Sequence, residues 1–340
     1  MAEPTDLPAG HVLLRNLACG ICGSDVHIYH WHDYFARRLQ DRLPRILGHE
    51  VVSEVVAVGD DVDGLAPGDR VVLDPTPGCG TCSVCVADRP DLCEHRLSIM
   101  GGLAEYSVVP QRALHKAPSS LDALEACLLE PLGISAHAIE RTGTRPGESA
   151  VVLGAGPIGL FLIQALKADG VAPVIVTGTS RSERRLRLAK ELGADEVIVA
   201  DKEPVKERVH KAVGPKGADN VYEAAGTTPA MEQALQIVRP GGKVCLAGIT
   251  DPILQSKALA ISREKGIELI CARSRTGQTW RRVNALAETR MVRFAPLIDL
   301  VLPMDKALQA FDALTQDRSM VKVVVLPATD SRQLWVTKKS

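Results

Sequence analysis

From residue 11 the apolar positions fall in short runs separated by turn signals. HVLLRNLA, EVVSEVVAVG and DRVVL are Val-rich, are bounded by PAG, GDD and PGD, and predict strands. AEYSVVP predicts another, and this texture lasts to about residue 117. From about 136 it changes. Compact apolar runs at 149–156, 172–178, 196–200, 220–226, 243–249 and 267–272 alternate with helix-periodic stretches at 157–169, 181–192, 204–213 and 229–238. Strand and helix alternating at this interval predict a doubly wound, mostly parallel sheet, an α/β architecture. Two further helical patterns, 278–290 and 305–314, precede a closing strand, MVKVVVLP. The tail SRQLWVTKKS is expected to fray.

At 340 residues the chain suits about two domains. Forty basic residues against 41 acidic ones leave a net charge of −1, which gives no electrostatic reason to expect nucleic acid or anionic membrane as a partner. The longest charge-free apolar stretch, Ala150 to Leu166, contains three Gly and a Pro and falls short of the ~20 residues that span a bilayer. MAEPTDLPAG lacks a basic region followed by an apolar run, so no secretory signal is expected there. Nine cysteines, clustered rather than scattered, then suggest metal binding in a reducing cytoplasm.

Residues 151–159, VVLGAGPIG, carry Gly154, Gly156 and Gly159 in G-x-G-x-x-G spacing between a strand and a helix. The three glycines permit a tight turn, close approach of a pyrophosphate, and close packing of helix on strand. Pro157 and Ile158 open the helix, whose free N–H groups would face the phosphates. The motif with its flanking elements predicts NAD or NADP as cofactor. The acid that usually follows about 20 residues on is absent. The second strand ends at Gly178, followed by Thr179, Ser180 and Arg181. Hydroxyls and a guanidinium without a carboxylate predict a modest preference for NADP. Glu183 is the candidate for a late carboxylate that would favour NAD instead.

Cys79, Cys82, Cys85 and Cys93 are spaced C-x2-C-x2-C-x7-C, the donor set of a closed tetrahedral zinc site with a structural role. An iron–sulfur cluster or a redox pair fits the x7 gap less well. A second, dispersed set consists of Cys19, Cys22, Ser24, Asp25 and His27, then His49 and Glu50. Cys, His and a carboxylate leave a fourth zinc position open, which suits catalysis.

Through ICGSDVH, GHE, the four-cysteine lobe, GGLAEYSVVP, EPLG, GAGPIG and VKVVV, the chain resembles the zinc-containing medium-chain dehydrogenases, in the branch of sorbitol (polyol) and threonine dehydrogenases. The matching stretches run from about residue 15 to 326. The resemblance implies a mainly-β, GroES-like catalytic domain with a zinc lobe (1–135, lobe 79–93), a Rossmann domain (136–274) and a C-terminal return to the catalytic domain (275–340). It implies that Cys22 rather than Cys19, with His49 and Glu50, holds a catalytic Zn²⁺, and that Glu130 approaches the metal directly or through water. Asp25 would orient the ligand histidine, and Ser24 and His27 would relay the proton. Members of the family usually carry a further first strand ahead of PAGHVLLRN, so either the sequence is shortened there or the sheet is reduced at that edge. The family also implies a homo-oligomer, dimer or tetramer, paired along the apolar edge strand IELICA.

The implied reaction transfers a hydride between a secondary alcohol and NAD(P), giving a ketone, with a polyol, sugar-derived or amino alcohol as substrate. HIYHWHDYF places four of the eleven aromatics within seven residues, resembling threonine dehydrogenases, whereas EPLG also fits polyol enzymes. Two other classes are a zinc- and dinucleotide-binding sensor, which needs no open metal site, and a zinc-ribbon nucleic-acid module, which the charge balance disfavours.

Overall fold

The computed structural model describes residues 7–32, 39, 43–248 and 256–327. The chain forms two compact units: residues 1–130 with 297–340, and residues 131–296.

The first unit contains strands β1 (His11–Gly20), β2 (Glu50–Val58), β3 (Arg70–Leu73), β4 (Tyr106–Pro110), β5 (Leu114–Lys116), β12 (Ile298–Pro303) and β13 (Lys322–Leu326). They form one sheet in the order β12-β13-β1-β2-β3-β5, with β4 paired to β1. All the pairings are antiparallel except β12 with β13. Side chains alternate across a strand, so every second residue of the Val-rich runs enters one core. Val12 and Leu14, Val71 and Leu73, and Val323 and Val325 meet there with Phe311 from helix α9 (Ala307–Gln316). β5, only three residues long, and β12, half-buried throughout, are not read as strands from the sequence.

The second unit is a six-stranded parallel sheet of β6 (Ala150–Leu153), β7 (Val174–Gly178), β8 (Glu196–Val199), β9 (Ala218–Glu223), β10 (Val238–Leu246) and β11 (Glu268–Cys271). The order is β11-β10-β9-β6-β7-β8. The strand order reverses between β6 and β9, the place where open α/β sheets bind ligands. The central strands read as unbroken apolar runs because both faces are covered: β6 is buried throughout. Helices α2 (Leu129–Thr142), α3 (Pro157–Ala168), α4 (Glu183–Glu191), α5 (Val205–Val213), α6 (Thr228–Ile237), α7 (Ser256–Lys265) and α8 (Gly277–Glu288) accompany the sheet.

The unit boundaries differ from the expected ones. The first unit ends at Glu130 rather than 135, and the return begins at Leu297 rather than 275. The physical reason lies in α8. Its Trp280 and Val283 are buried, the Thr279 hydroxyl donates to the Glu140 carboxylate at 2.6 Å, and Arg282 pairs with Asp169. These contacts tie residues 275–296 to the second unit.

Candidate active site

The four cysteines of the lobe converge. Their sulfurs all lie within 4.8 Å of one another, and this is the one metal-capable group of that tightness among the described residues. Cys79 and Cys85 sulfurs are 3.9 Å apart, and those of Cys82 and Cys93 3.8 Å. About 3.8 Å is the edge of a tetrahedron built on Zn–S bonds of ~2.3 Å. The backbone N–H of Cys82 donates to the Cys79 sulfur at 3.4 Å, and that of Cys79 to the Cys93 sulfur at 3.4 Å. N–H groups of Thr81 and Cys82 bring the Cys79 thiol down to about 5. The Cys79 thiolate is thus favoured in advance, whereas burial pushes the Cys85 thiol up to about 12, and the spacing of the four sulfurs fits the metal.

The dispersed set is assembled differently. Helix α1 (Gly23–Tyr29) has Cys22 as its N-cap residue and Asp25 in its first turn. One carboxylate oxygen of Asp25 accepts the Cys22 N–H at 3.0 Å, and the other accepts the Gly48 N–H at 3.2 Å. Asp25 therefore joins the turn bearing Cys22 to the turn bearing His49. The same carboxylate lies 3.4 Å from His49 Nδ1. Nδ1 is buried at ion-pair distance from Asp25 without a hydrogen bond; with Nε2 on a metal, Asp25 would be the group that orients the ring. Burial opposes the His49 charge, but Asp25 and the Cys22 sulfur outweigh it and hold its pKa well above the ordinary value. Burial also works against the Asp25 charge; His49 and the two N–H donors prevail and lower it. Gly48 has φ +89°, and a Cβ there would lie 2.6 Å from the Cys19 sulfur. Cys19 is fully buried, and burial raises its thiol well above the ordinary value. Its sulfur packs beside Gly48 and Gly102.

Glu50 departs from expectation. Both of its carboxylate oxygens lie 2.7 Å from Lys322 Nζ, and both residues are buried. The ammonium also donates to the Ile21 carbonyl at 3.1 Å. Burial disfavours the lysine charge, but Glu50 overrides this and raises its pKa. A carboxylate ionised in the interior is stabilised by a partner cation or hydrogen bonds, and here β13 supplies a cation. Cys22, His49 and Glu50 accordingly do not form a tight three-donor cluster. Lys322 was missed in the sequence, although a lysine inside the apolar run MVKVVVLP was the available signal. Glu130 is buried near the start of α2. Ser24 is half-buried and His27 exposed on α1. Burial and then His32 and His30 lower the His27 pKa. Of the aromatic segment, Tyr29 stacks on Phe311 with ring centroids 4.8 Å apart, whereas Tyr34 and Phe35 lie outside the described residues.

In the second unit the glycine loop has the geometry its spacing implied. A Cβ on Gly159 would lie 1.9 Å from the Gly154 carbonyl oxygen, which enforces close helix–strand packing. Above Gly156, the N-cap of α3, a Cβ would meet nothing within 4 Å. The loop is open where a pyrophosphate would approach the α3 N–H groups, and it fits a dinucleotide. Beside it, at the end of β9, the buried Glu223 accepts the Ala225 and Gly226 N–H groups at 2.9 and 2.8 Å, which shapes that turn. Past β7, Gly178 is followed by Thr179 and Ser180. Both Ser180 donors are already engaged: its N–H and O–H donate to the Asp201 carboxylate at 2.7 and 2.6 Å. Ser180 is therefore not free to serve a 2′-phosphate, as the sequence had suggested. Arg181 is exposed next to it.

Residues 8–119 match the alcohol dehydrogenase GroES-like domain, and residues 157–289 match the zinc-binding dehydrogenase domain. The chain is 33% identical to sorbitol dehydrogenase of Halalkalibacterium halodurans over 96% of its length and 94% of that protein. It is 34% identical to L-threonine 3-dehydrogenase of Pyrococcus furiosus, covering 93% of this chain and 91% of the other. A zinc-binding dehydrogenase of Sinorhizobium meliloti 1021 bound to NADP superposes with a TM-score of 0.83 at 28% identity, covering 96% and 94% of the two chains. The chain thus belongs to the zinc-containing medium-chain dehydrogenases, in the sorbitol and threonine dehydrogenase branch. It is an enzyme, a zinc-dependent alcohol or polyol oxidoreductase that uses NAD or NADP. No helix among the described residues is long and apolar enough to cross a membrane.

Proposed function

We propose that this enzyme oxidises a secondary alcohol of the polyol, sugar-derived or amino-alcohol class to the ketone, and runs the reverse reduction. When bound, zinc polarises the substrate oxygen as a Lewis acid and the coenzyme takes the hydride. Cys22 and His49 are the thiolate and imidazole that hold the catalytic metal. Asp25 fixes both of them, and this bridge is the observation that carries the reading. Glu50 and Glu130 are the carboxylates of the site, with Lys322 competing for Glu50. Ser24 and His27 stand at i and i+3 on α1, the spacing that brings side chains to one helix face. They pass the substrate proton outward, from half-buried hydroxyl to exposed imidazole. Cys79, Cys82, Cys85 and Cys93 hold the structural zinc. The glycine loop at 154–159 takes the pyrophosphate.

L-Threonine is the second substrate reading, supported by the identity to threonine dehydrogenases and by the HIYHW segment. Turnover of polyols, butane-2,3-diol and L-threonine with both coenzymes decides between them. Selective turnover of a polyol supports the first reading, and turnover of threonine alone supports the second. Turnover of none, in protein carrying both metals, overturns the substrate class.

The edge strand β11, with Leu269 partly exposed, supports self-association along that edge. A monomer by light scattering at micromolar concentration contradicts it. Thiols that must stay reduced to bind zinc suit a cytoplasmic setting.

A further inference from the structure

The glycine loop and the specificity position for the coenzyme lie on one edge of the parallel sheet, at the carboxyl ends of its strands. Leu153 pairs with Thr177, and Gly178 pairs with Val199, so the turns after β6, β7 and β8 stand side by side. In dinucleotide folds the turn after the second strand meets the adenosine ribose, and an acid there selects NAD. Here that turn reads Gly178, Thr179, Ser180 and offers no carboxylate of its own.

The next strand delivers one. The Ala200 N–H donates to the Gly178 carbonyl at 2.7 Å, which carries the chain after β8 against the end of β7. Two residues past β8, Asp201 accepts the Ser180 N–H at 2.7 Å and the Ser180 O–H at 2.6 Å. These are short, charge-assisted bonds. The two Ser180 donors hold the Asp201 carboxyl below its ordinary value, so it is ionised at neutral pH.

Two consequences follow for a ribose placed there. A 2′-phosphate would find both Ser180 donors spent and a negative charge beside it. A 2′-hydroxyl would find an acceptor, because each Asp201 oxygen takes one bond from Ser180 and keeps a second lone pair. Arg181, exposed next to Ser180, acts in the opposite direction by attracting phosphate. Its side chain is exposed to solvent, whereas Asp201 is held by two bonds.

We propose that Asp201, supplied by the third strand of the sheet rather than the second, takes the place of the missing acid and makes the enzyme prefer NAD to NADP. This inference rests on the dinucleotide reading of the glycine loop.

The test is a fluorescence titration of NADH and NADPH on the zinc-loaded enzyme and its Asp201→Ala, Asp201→Glu and Glu183→Gln variants. It is joined by the kcat/KM ratio for NAD and NADP. The unaltered enzyme should bind NADH about tenfold more tightly than NADPH, the low end for a charge-assisted bond at an exposed site. Asp201→Ala should abolish that ratio, chiefly by tightening NADPH, with the change in KM rather than kcat. Asp201→Glu should keep part of the preference, and Glu183→Gln should keep all of it. Tighter NADPH binding by the unaltered enzyme, or a ratio indifferent to Asp201→Ala, overturns the inference while leaving the dehydrogenase reading intact. Binding of neither coenzyme overturns the dinucleotide reading and this inference with it.

Discussion

The two proposed metal sites of the first unit are built on opposite plans. The lobe takes four identical donors from fifteen consecutive positions, 79–93, and holds them within one loop. The catalytic set takes unlike donors from α1 and from the turn before β2, and depends on groups that are not donors at all. Asp25 ties the two turns together, and Lys322, from β13, neutralises Glu50. The first plan yields a closed and rigid site. The second leaves donors that are positioned but not saturated, as a site that must admit substrate requires.

The contrast can be broken at the lobe first, where the largest effect is expected. Cys93→Ser removes a buried ligand of the proposed structural zinc, which on this account holds the loop together. A loss of about 3–5 kcal/mol corresponds to a fall in Tm of roughly 10 °C at this size. Thermal unfolding with and without added zinc measures it; an unchanged Tm would show that the lobe contributes nothing to stability.

Next in size is Lys322→Met, which strands the Glu50 carboxylate in the interior. The expected cost is about 3–5 kcal/mol by urea unfolding, because one partner of a buried ion pair is removed. The double variant with Glu50→Gln should regain much of it. A Lys322→Met enzyme as stable as its parent would mean that the pair does not balance charge as described.

Asp25→Asn should act on the metal more than on the fold. It weakens the charge that orients His49, and loss of such a partner typically costs 10–100-fold in metal affinity. Competition with a zinc chelator should show one of two zincs released more readily, with the lobe zinc unaffected.

The smallest effect sharpens the comparison with the second unit, where no tight metal-capable group lies among the described residues. Burial works against ionised Asp219, but the Ser149 hydroxyl, Arg239 and the Ser149 N–H lower its pKa. A depressed carboxyl stabilises fully above its unfolded value of about 3.9, and the contribution disappears as pH falls through the depressed value. Stability of the unaltered chain should therefore decline on acidification below about pH 4, and Asp219→Asn should flatten that decline. An equal slope in both would remove Asp219 from the account.

What the sequence disclosed follows the same division. Most strands of both sheets, though not β5 and β12, were legible together with the glycine loop and the lobe because their signals are local: apolar period, turn residues, and spacing of like donors. Asp25 and His49 were named by resemblance, but the N–H bonds that join them belong to the tertiary structure. Lys322 and Asp201 went unread because each acts on a residue in a different element. Lys322 lies in the last strand and meets a carboxylate in β2; Asp201 follows β8 and bonds to a serine beyond β7. The domain boundaries shifted for the same reason, since the α8 contacts to Glu140 and Asp169 are made across the fold.

The most direct test of two unlike metal sites is the zinc content of Cys22→Ala, measured with its coenzyme binding and turnover. The unaltered chain should carry about two zincs and the variant about one. The variant should stay folded, bind NADH like its parent, and turn over no alcohol. A variant that keeps both zincs, or that still turns over, would contradict the assignment of Cys22 to a catalytic site separate from the lobe.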